Sequence, residues 1–297
     1  MNVTKKAITE RLKLTDVVIE LLDARLPGSS SNPMLAALTS SKHKLKILNK
    51  QDLADPERTQ AWLDHFNAQS DTRALGLDAS ETAPAQRLIK ACRELVPNRG
   101  GMAKPVRVLI CGVPNVGKST LLNTLVGKKA AKTGDEAGIT RVEQRINLAP
   151  DMYLFDTPGM LWPKIIVEKG GYHLAASGAV GRNAYEDEDV ALELLNTLKA
   201  PYAHLLAQRY KLPEAELASM NDEDLLTRIA QHRGALRSGG RLDMTKAAEA
   251  VLHDFRSGTL GRITLETPDE FSQWLQAAQA IEQARLDKKN KKPVSET

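Results

Sequence analysis

Short apolar runs alternate with amphipathic segments through the first 168 residues of the chain. Apolar runs bounded by polar turns are typical of buried strands, whereas apolar positions three and four apart indicate helices. Predicted strands lie at residues 17–22, 45–48, 73–80, 106–112, 142–148 and 152–155. Predicted helices begin near Pro33 and at Asp55–Glu57, and extend over 83–95 and 118–127. This alternation predicts an α/β fold with a mostly parallel sheet and helices on both faces.

The strand pattern ends near residue 170, and the segments EDVALELLNTLKAPYAHLLAQRY and TKAAEAVLHDFRSG that follow have helical periodicity. We therefore predict an α/β domain over 1–168 and a smaller all-α domain over 169–285. A polar, basic tail over 286–297 is predicted to fray. The Pro/Gly-rich segment PNRGGMAK at 97–104 is predicted to be a linker or exposed loop.

The composition is that of a globular protein, with 42% hydrophobic and 26% charged residues among 297. No apolar run approaches the roughly 18–20 residues that cross a bilayer, and the N-terminus lacks the apolar region of a secretory signal. We therefore expect no membrane insertion. Cys92 and Cys111, the two cysteines, have no metal-ligand spacing and offer no disulfide framework, so we expect a reduced, cytoplasmic setting.

The net charge of +4 is distributed unevenly along the chain. Residues 1–165 hold 24 basic and 17 acidic side chains, or +7, whereas residues 166–297 hold 17 and 20, or −3. A mild basic excess is compatible with a polyanionic partner. The simpler interpretation is a solvated surface, and charge alone leaves both open.

The segment Gly112–Ser119 matches the phosphate-loop pattern G-x-x-x-x-G-K-[ST] and stands between a predicted strand and a predicted helix. Glycines let the backbone wrap around phosphate, and the amides at the helix start point at the negative charge. We expect Lys118 to reach the β- and γ-phosphates and the Ser119 hydroxyl to bind Mg²⁺. The predicted phosphate-binding residues are Asn115, Val116, Gly117, Lys118, Ser119 and Thr120.

A second nucleotide motif, LFDTPGM, closes the predicted strand at 152–155. Asp156 is predicted to hold Mg²⁺ through water, and the Gly159 amide to contact the γ-phosphate, so that nucleotide state moves the following loop. Thr140 is the predicted switch threonine that completes the Mg²⁺ shell; the alternative is an ordinary loop threonine. Lys118, Thr140 and Gly159 are therefore the predicted catalytic residues.

The tetrapeptide NKQD at 49–52 has the form of a guanine-reading loop, yet it precedes the phosphate loop in the chain. Asp52 can accept two hydrogen bonds from the guanine N1–H and 2-amino groups, which adenine cannot offer. We expect Lys50 to pack along the base, Asn49 to tie the loop to the phosphate loop, and Gln51 to lie between them. The amides of Ala79 and Ser80, after the next strand, are predicted to meet guanine O6. Because strands bring their loops to one sheet edge, this permuted order still allows one site.

Together these motifs resemble those of the circularly permuted GTPases of the RbgA/YlqF family, which is involved in assembly of the large ribosomal subunit. The resemblance covers residues 1–285 and rests on DARLPGSSSNP (23–33), NKQD (49–52), GVPNVGKST (112–120), KTGDEAGIT (132–140), DTPGMLWPK (156–164) and SGGRLD (238–243). It implies a circularly permuted P-loop GTPase domain over 1–168 that hydrolyses GTP with Mg²⁺, slowly unless the ribosomal subunit stimulates it. It also implies that the helical domain contacts rRNA of a late large-subunit precursor.

The resemblance bears on particular residues as well. Asn115 matches a phosphate-loop Asn associated with a K⁺ ligand; its alternative role is a loop hydrogen bond. Met160 stands where many GTPases carry a water-orienting Gln, a hydrophobic replacement that the family shares. Family members start with a segment whose His is proposed to assist hydrolysis. The first residues of this sequence align just after that His. None of the six histidines inherits the role by motif.

The predicted function is a GTP-dependent switch in late assembly of the large subunit, acting as a monomer with no DNA partner. An alternative is a nucleotide-gated RNA-binding module in which hydrolysis is incidental. A metabolic kinase or ATPase would need an acceptor-substrate motif, which we do not find. The candidate rRNA contacts of the helical domain are Arg237, Arg241, Lys246, Arg256 and Arg262.

Overall fold

The computed structural model describes residues 9–78, 84–126, 145–157, 161–162, 164–181, 184–237 and 239–290. Its strands are β1 Val17–Asp23, β2 His43–Asn49, β3 Thr72–Leu77, β4 Val106–Gly112, β5 Arg145–Ala149 and β6 Met152–Asp156. The helices between them are α1 Pro27–Ser30, α2 Pro33–Leu38, α3 Pro56–Asn67, α4 Pro84–Leu95 and α5 Lys118–Val126. Strands and helices alternate as the apolar pattern predicts.

The strands form one sheet in the order β3-β2-β1-β4-β6-β5. Neighbouring strands run parallel except β5 and β6, which form an antiparallel pair. All seven residues of β1 are buried, as expected of an inner strand covered on both faces. Because β1, β2, β4 and β6 run parallel, their carboxyl ends lie at the same end of the sheet, and the residues that follow them converge there.

Helices cover both faces of this sheet. On one face, Leu88 of α4 and Leu121 of α5 join a buried cluster with strand residues such as Val108. On the other, Trp62 and Phe66 of α3 pack against a second group of strand residues. The predicted α/β fold, with a mostly parallel sheet between two helical layers, is confirmed.

The start of α3 follows from its sequence. The Asp55 side chain accepts hydrogen bonds from the amides of Glu57 at 2.9 Å and Arg58 at 3.1 Å. Pro56 occupies the first helical position, where its missing N–H removes no helical bond. Both are the features that predicted a helix here.

The remainder of the described chain is helical. Its helices are α6 Glu168–Ser177, α7 Asp187–Leu198, α8 Ala203–Tyr210, α9 Glu214–Leu217, α10 Asp222–Arg233, α11 Met244–Arg256 and α12 Pro268–Asn290. Buried residues of α6, α7, α8, α10 and α11 share one apolar cluster, distinct from the clusters of the sheet. The helical C-terminal region is therefore present, with a core of its own.

The last helix, α12, contacts both α3 beside the sheet and α6 of the helical region, which the sequence pattern does not predict. The ring of Phe271 lies 6.2 Å from that of Trp62 in α3, and the Trp274 ring lies 5.8 Å from that of His173 in α6. The helix continues to Asn290, so the tail predicted from residue 286 begins inside a helix and not as a frayed segment. Among the described helices, none combines the length and apolar content that crossing a membrane requires.

Candidate nucleotide-binding site

The segment between β4 and α5 curves into a compact loop because two of its residues adopt left-handed backbone conformations. Asn115 has φ 57° and Gly117 has φ 94°. Asparagine tolerates this region better than most residues, whereas glycine has no Cβ penalty there. A Cβ added to Gly117 would lie 2.3 Å from Asn49 Nδ2, so the close approach of the two loops requires glycine. The resulting turn of backbone amides at a helix start suits an anion.

Groups that suit phosphate and a divalent cation meet beside this loop. The Lys118 amine contacts the Asp156 carboxylate at the end of β6. Thr157 fixes that strand end, because its hydroxyl donates to the Ile110 carbonyl at 2.9 Å. Ser119 and Thr120 lie exposed on the first turn of α5. A cationic amine, a hydroxyl and a carboxylate together fit a phosphate with bound Mg²⁺.

The NKQD loop lies against the phosphate loop although about sixty residues separate them in the chain. Asn49 Nδ2 donates to the Val116 carbonyl at 2.7 Å. Lys50, in a left-handed conformation with φ 61°, donates from Nζ to the Asn115 carbonyl at 2.8 Å. Gln51 and Asp52 occupy the short 3₁₀ turn that follows, where Asp52 is exposed. The segments predicted to read the base and the phosphates thus lie together at the carboxyl ends of the strands.

Comparison with known proteins identifies the family of this chain. A family model described as "50S ribosome-binding GTPase" matches residues 107–228. Ribosome biogenesis GTPase A of Bacillus cereus is 39% identical over 290 residues, covering 95% of this chain and 97% of the relative. The chain belongs to the ribosome biogenesis GTPase A family. Mitochondrial ribosome-associated GTPase 1 of Bos taurus is 33% identical over 281 residues, covering 88% of this chain and 85% of that protein.

A solved structure of the same family agrees with the fold. The crystal structure of GNP-bound YlqF from T. maritima has a TM-score of 0.65 and 27% identity, covering 90% of this chain and 98% of that chain. The resemblance to the RbgA/YlqF family is confirmed, as are the P-loop GTPase fold and the enzyme class. As a member of ribosome biogenesis GTPase A, the chain is a GTPase that binds guanine nucleotide.

Several predicted site residues of this family member are outside the described residues. They are Ala79, Ser80, Thr140 and Gly159. The roles given to them stay predictions. Asn115 is described, and its Nδ2 donates at 2.6 Å to the carbonyl of Gly178, just after α6. The sequence left two roles open for Asn115, a loop hydrogen bond and K⁺ ligation. Asn115 makes a hydrogen bond, and its partner lies in the helical region. K⁺ ligation stays a prediction.

Asp23 and Arg25 also belong to the surroundings of the site, although no role was predicted for either. Asp23 ends β1, and its carboxylate accepts from Lys50 Nζ at 2.8 Å and from Arg25 Nη2 at 2.9 Å. Burial alone would raise the pKa of Asp23, but the charges of Arg25 and Lys50 outweigh it and hold this pKa well below its ordinary value. The sequence feature that could have pointed to these two residues is the DAR segment, which is part of the motifs shared with the family.

The candidate rRNA contacts divide into two groups. Arg256 and Arg262 make hydrogen bonds to backbone carbonyls of the protein itself. Arg256 donates to the carbonyls of Ala175 and Ala176 at 3.0 and 2.8 Å. Arg262 donates to the carbonyls of Gln51 and Ala54 at 3.0 and 2.9 Å. Sequence spacing could not reveal these carbonyl partners, which are distant in the chain, and RNA contact by Arg256 and Arg262 stays a prediction. Arg237, Arg241 and Lys246 are exposed.

Proposed function

We propose that this GTPase acts in the cytoplasm, as a monomer, in late assembly of the large ribosomal subunit. Guanine nucleotide binds along the NKQD loop and the adjoining phosphate loop, and nucleotide state controls contact of the helical region with rRNA of the precursor. The observation that carries the proposal is the pair of hydrogen bonds from Asn49 and Lys50 to the phosphate loop, at 2.7 and 2.8 Å. These bonds hold the two halves of a permuted site together.

Within the site we assign the base to Asn49, Lys50, Gln51 and Asp52, together with the amides of Ala79 and Ser80. The phosphates are assigned to the segment Asn115–Thr120 and Gly159. Ser119, Thr140 and Asp156 would hold Mg²⁺, which neutralises phosphate charge when bound. Lys118, Thr140 and Gly159 are the proposed catalytic residues, and Asn115 is the candidate K⁺ ligand.

The rRNA contact is assigned to Arg241, just before α11, and to Lys246, in the first turn of α11. Both side chains are exposed, and neither needs to leave a buried partner to reach phosphate. Arg237 is a weaker candidate, because its guanidinium lies 3.3 Å from the Asp243 carboxylate. Each basic contact to RNA phosphate adds to the dependence of binding on salt.

Charge reversal at these positions tests the proposal. In the Arg241→Glu/Lys246→Glu variant we expect large-subunit precursor binding to weaken about tenfold or more and its salt dependence to become shallower. We also expect loss of the stimulation of GTP hydrolysis by the precursor, while hydrolysis by the free protein is unchanged. Binding is measured by co-sedimentation over a salt series, and hydrolysis by phosphate release with and without the precursor.

A matched control carries the same charge change elsewhere in the helical region. Lys211→Glu/Arg228→Glu reverses two exposed charges on other helical segments and should leave both measurements as in the unmodified protein. Equal losses in the two variants would contradict the assigned contact surface. Nucleotide-dependent binding without any stimulation of hydrolysis would instead favour a nucleotide-gated RNA-binding module.

A further inference from the structure

A buried acid holds the lysine of the guanine-reading loop. Lys50 Nζ is shared between the Asn115 carbonyl and the carboxylate of Asp23, each at 2.8 Å. Asp23 is only 2% exposed, so its charge must be compensated within the protein. Arg25 supplies the second compensating charge through Nε and Nη2, at 3.0 and 2.9 Å. A paired, hydrogen-bonded carboxylate of this kind fixes the position of both cations.

The same arginine reaches the helical region. Arg25 is 1% exposed, and its Nη1 donates to the Phe255 carbonyl at 3.1 Å. Its guanidinium also lies 4.7 Å from the centre of the Phe255 ring. Phe255 belongs to the last turn of α11, where carbonyls lack helical partners and the helix dipole favours a cation. Consecutive contacts thus lead from the partly exposed Lys50 through the buried Asp23 and Arg25 to the end of α11.

A second set of bonds joins the guanine-reading loop directly to the chain after α11. Arg262 donates to the carbonyls of Gln51 and Ala54, at 3.0 and 2.9 Å. The amide of Ile263 donates to the Leu53 carbonyl at 3.0 Å. The backbone on both sides of Asp52 is therefore held by residues of the helical region.

We propose that Asp23 is a positioning residue that holds Lys50 in the guanine-reading loop and, with Arg25 and Arg262, joins this loop to the end of α11. Guanine nucleotide binding and the seating of the helical region then stabilise each other, because each orders contacts that the other requires. The coupling is independent of the switch segments after β6. It rests on the proposed base-reading role of residues 49–52.

A double-mutant cycle separates positioning of Lys50 from general stability. We expect Asp23→Asn to weaken GDP and GTP binding alike, by about tenfold or more, since it removes the negative charge that holds the Lys50 ammonium. In a Lys50→Met background, Asp23→Asn should have little further effect on nucleotide affinity. Fluorescent GDP titration gives the four affinities, and thermal unfolding gives the four stabilities.

The matched control is Glu20→Gln. Glu20 and Lys46 form another buried ion pair between β1 and β2, at 2.6 Å, away from both loops. Its loss should lower thermal stability and leave nucleotide affinity of the folded protein unchanged. Equal weakening by Asp23→Asn in the presence and absence of Lys50 would overturn the positioning role.

Hydrogen exchange tests the connection to α11. GDP should slow amide exchange over residues 251–263 of the unmodified protein, and this protection should decrease several-fold in Asp23→Asn at saturating GDP. Unchanged exchange in this segment on GDP binding would refute the coupling. A protein that binds ADP as tightly as GDP would instead refute the base-reading role on which the inference rests.

Discussion

At the scale of single residues, Asp52 is the residue proposed to select the base. It lies exposed in the turn at 51–53, directly after Lys50, whose left-handed backbone turns the chain at the end of β2. A carboxylate can accept from two donors of guanine, and adenine lacks that pair of donors. The proposed selectivity therefore depends on a single exposed side chain.

Asp52→Asn should exchange this selectivity. We expect GTP affinity to fall about a hundredfold, because charged hydrogen bonds to the base are lost. Xanthosine triphosphate should bind better than to the unmodified protein, since its C2 carbonyl can accept from the asparagine amide. Competition against fluorescent GDP measures both affinities. Asp64→Asn, an exposed change on α3, should alter neither, and failure of the xanthine analogue to gain affinity would contradict base reading by Asp52.

The element scale shows which parts the sequence could and could not predict. The start of α3 was predictable because Asp55 and Pro56 act on their own backbone. The edge shared by NKQD and the phosphate loop was predictable because parallel strands align their carboxyl ends. The partners of Arg25 were not: its contact with Phe255 joins residues 230 apart. Helix α12 lies mostly within the predicted helical region, but its bounds and its contact with Trp62 were not predicted, because Ile281 and Leu286 on its exposed side weaken the amphipathic pattern that Phe271 and Trp274 begin.

Asp254 connects three elements of the helical region. This carboxylate of α11 is 2% exposed and accepts from Arg209 of α8 at 2.8 and 2.9 Å. It also contacts Arg233 at the end of α10 and accepts from the Tyr210 hydroxyl at 3.2 Å. Burial alone would raise the pKa of Asp254, but the hydrogen bonds from the two arginines outweigh burial and lower it.

Asp254→Asn should destabilise the protein by about 3 kcal/mol, because it breaks a buried ion-pair network and leaves two arginines without their anion. A lowered carboxyl pKa in the folded state contributes stability that is complete above the unfolded value of about 4 and is lost as pH falls through the folded value. The variant should therefore lose part of the steep decline in stability below about pH 4. Urea unfolding across pH measures both effects.

The control is Glu216→Gln, because Glu216 forms an exposed pair with Arg228. This substitution should lower the free energy of unfolding by less than about 1 kcal/mol. An equal loss of unfolding free energy in the two variants would contradict the role of Asp254.

At the scale of the whole molecule, the two regions are joined by buried polar contacts as well as by apolar packing. Glu266, 0% exposed, accepts from the Ser29 amide at 2.7 Å, and its carboxylate lies 2.9 Å from His173 Nδ1 in α6. The Glu266 carbonyl accepts from the indole of Trp62 at 2.9 Å. Glu266, in the segment between α11 and α12, thus binds to residues of α1, α3 and α6. Separating the regions would expose these groups without their partners, which costs free energy.

We therefore expect the chain to unfold in a single transition although the sheet and the helical region have separate apolar clusters. Tryptophan fluorescence, to which buried Trp62 contributes, and far-UV circular dichroism should give the same urea midpoint, and GDP should raise both by mass action. Glu266→Ala should separate the two midpoints, with GDP then raising mainly the one that reports on the sheet. Glu249→Ala, at an exposed position of α11, should leave the single transition intact. Two separate transitions in the unmodified protein, only one of them sensitive to GDP, would show that the buried contacts of Glu266 do not couple the regions.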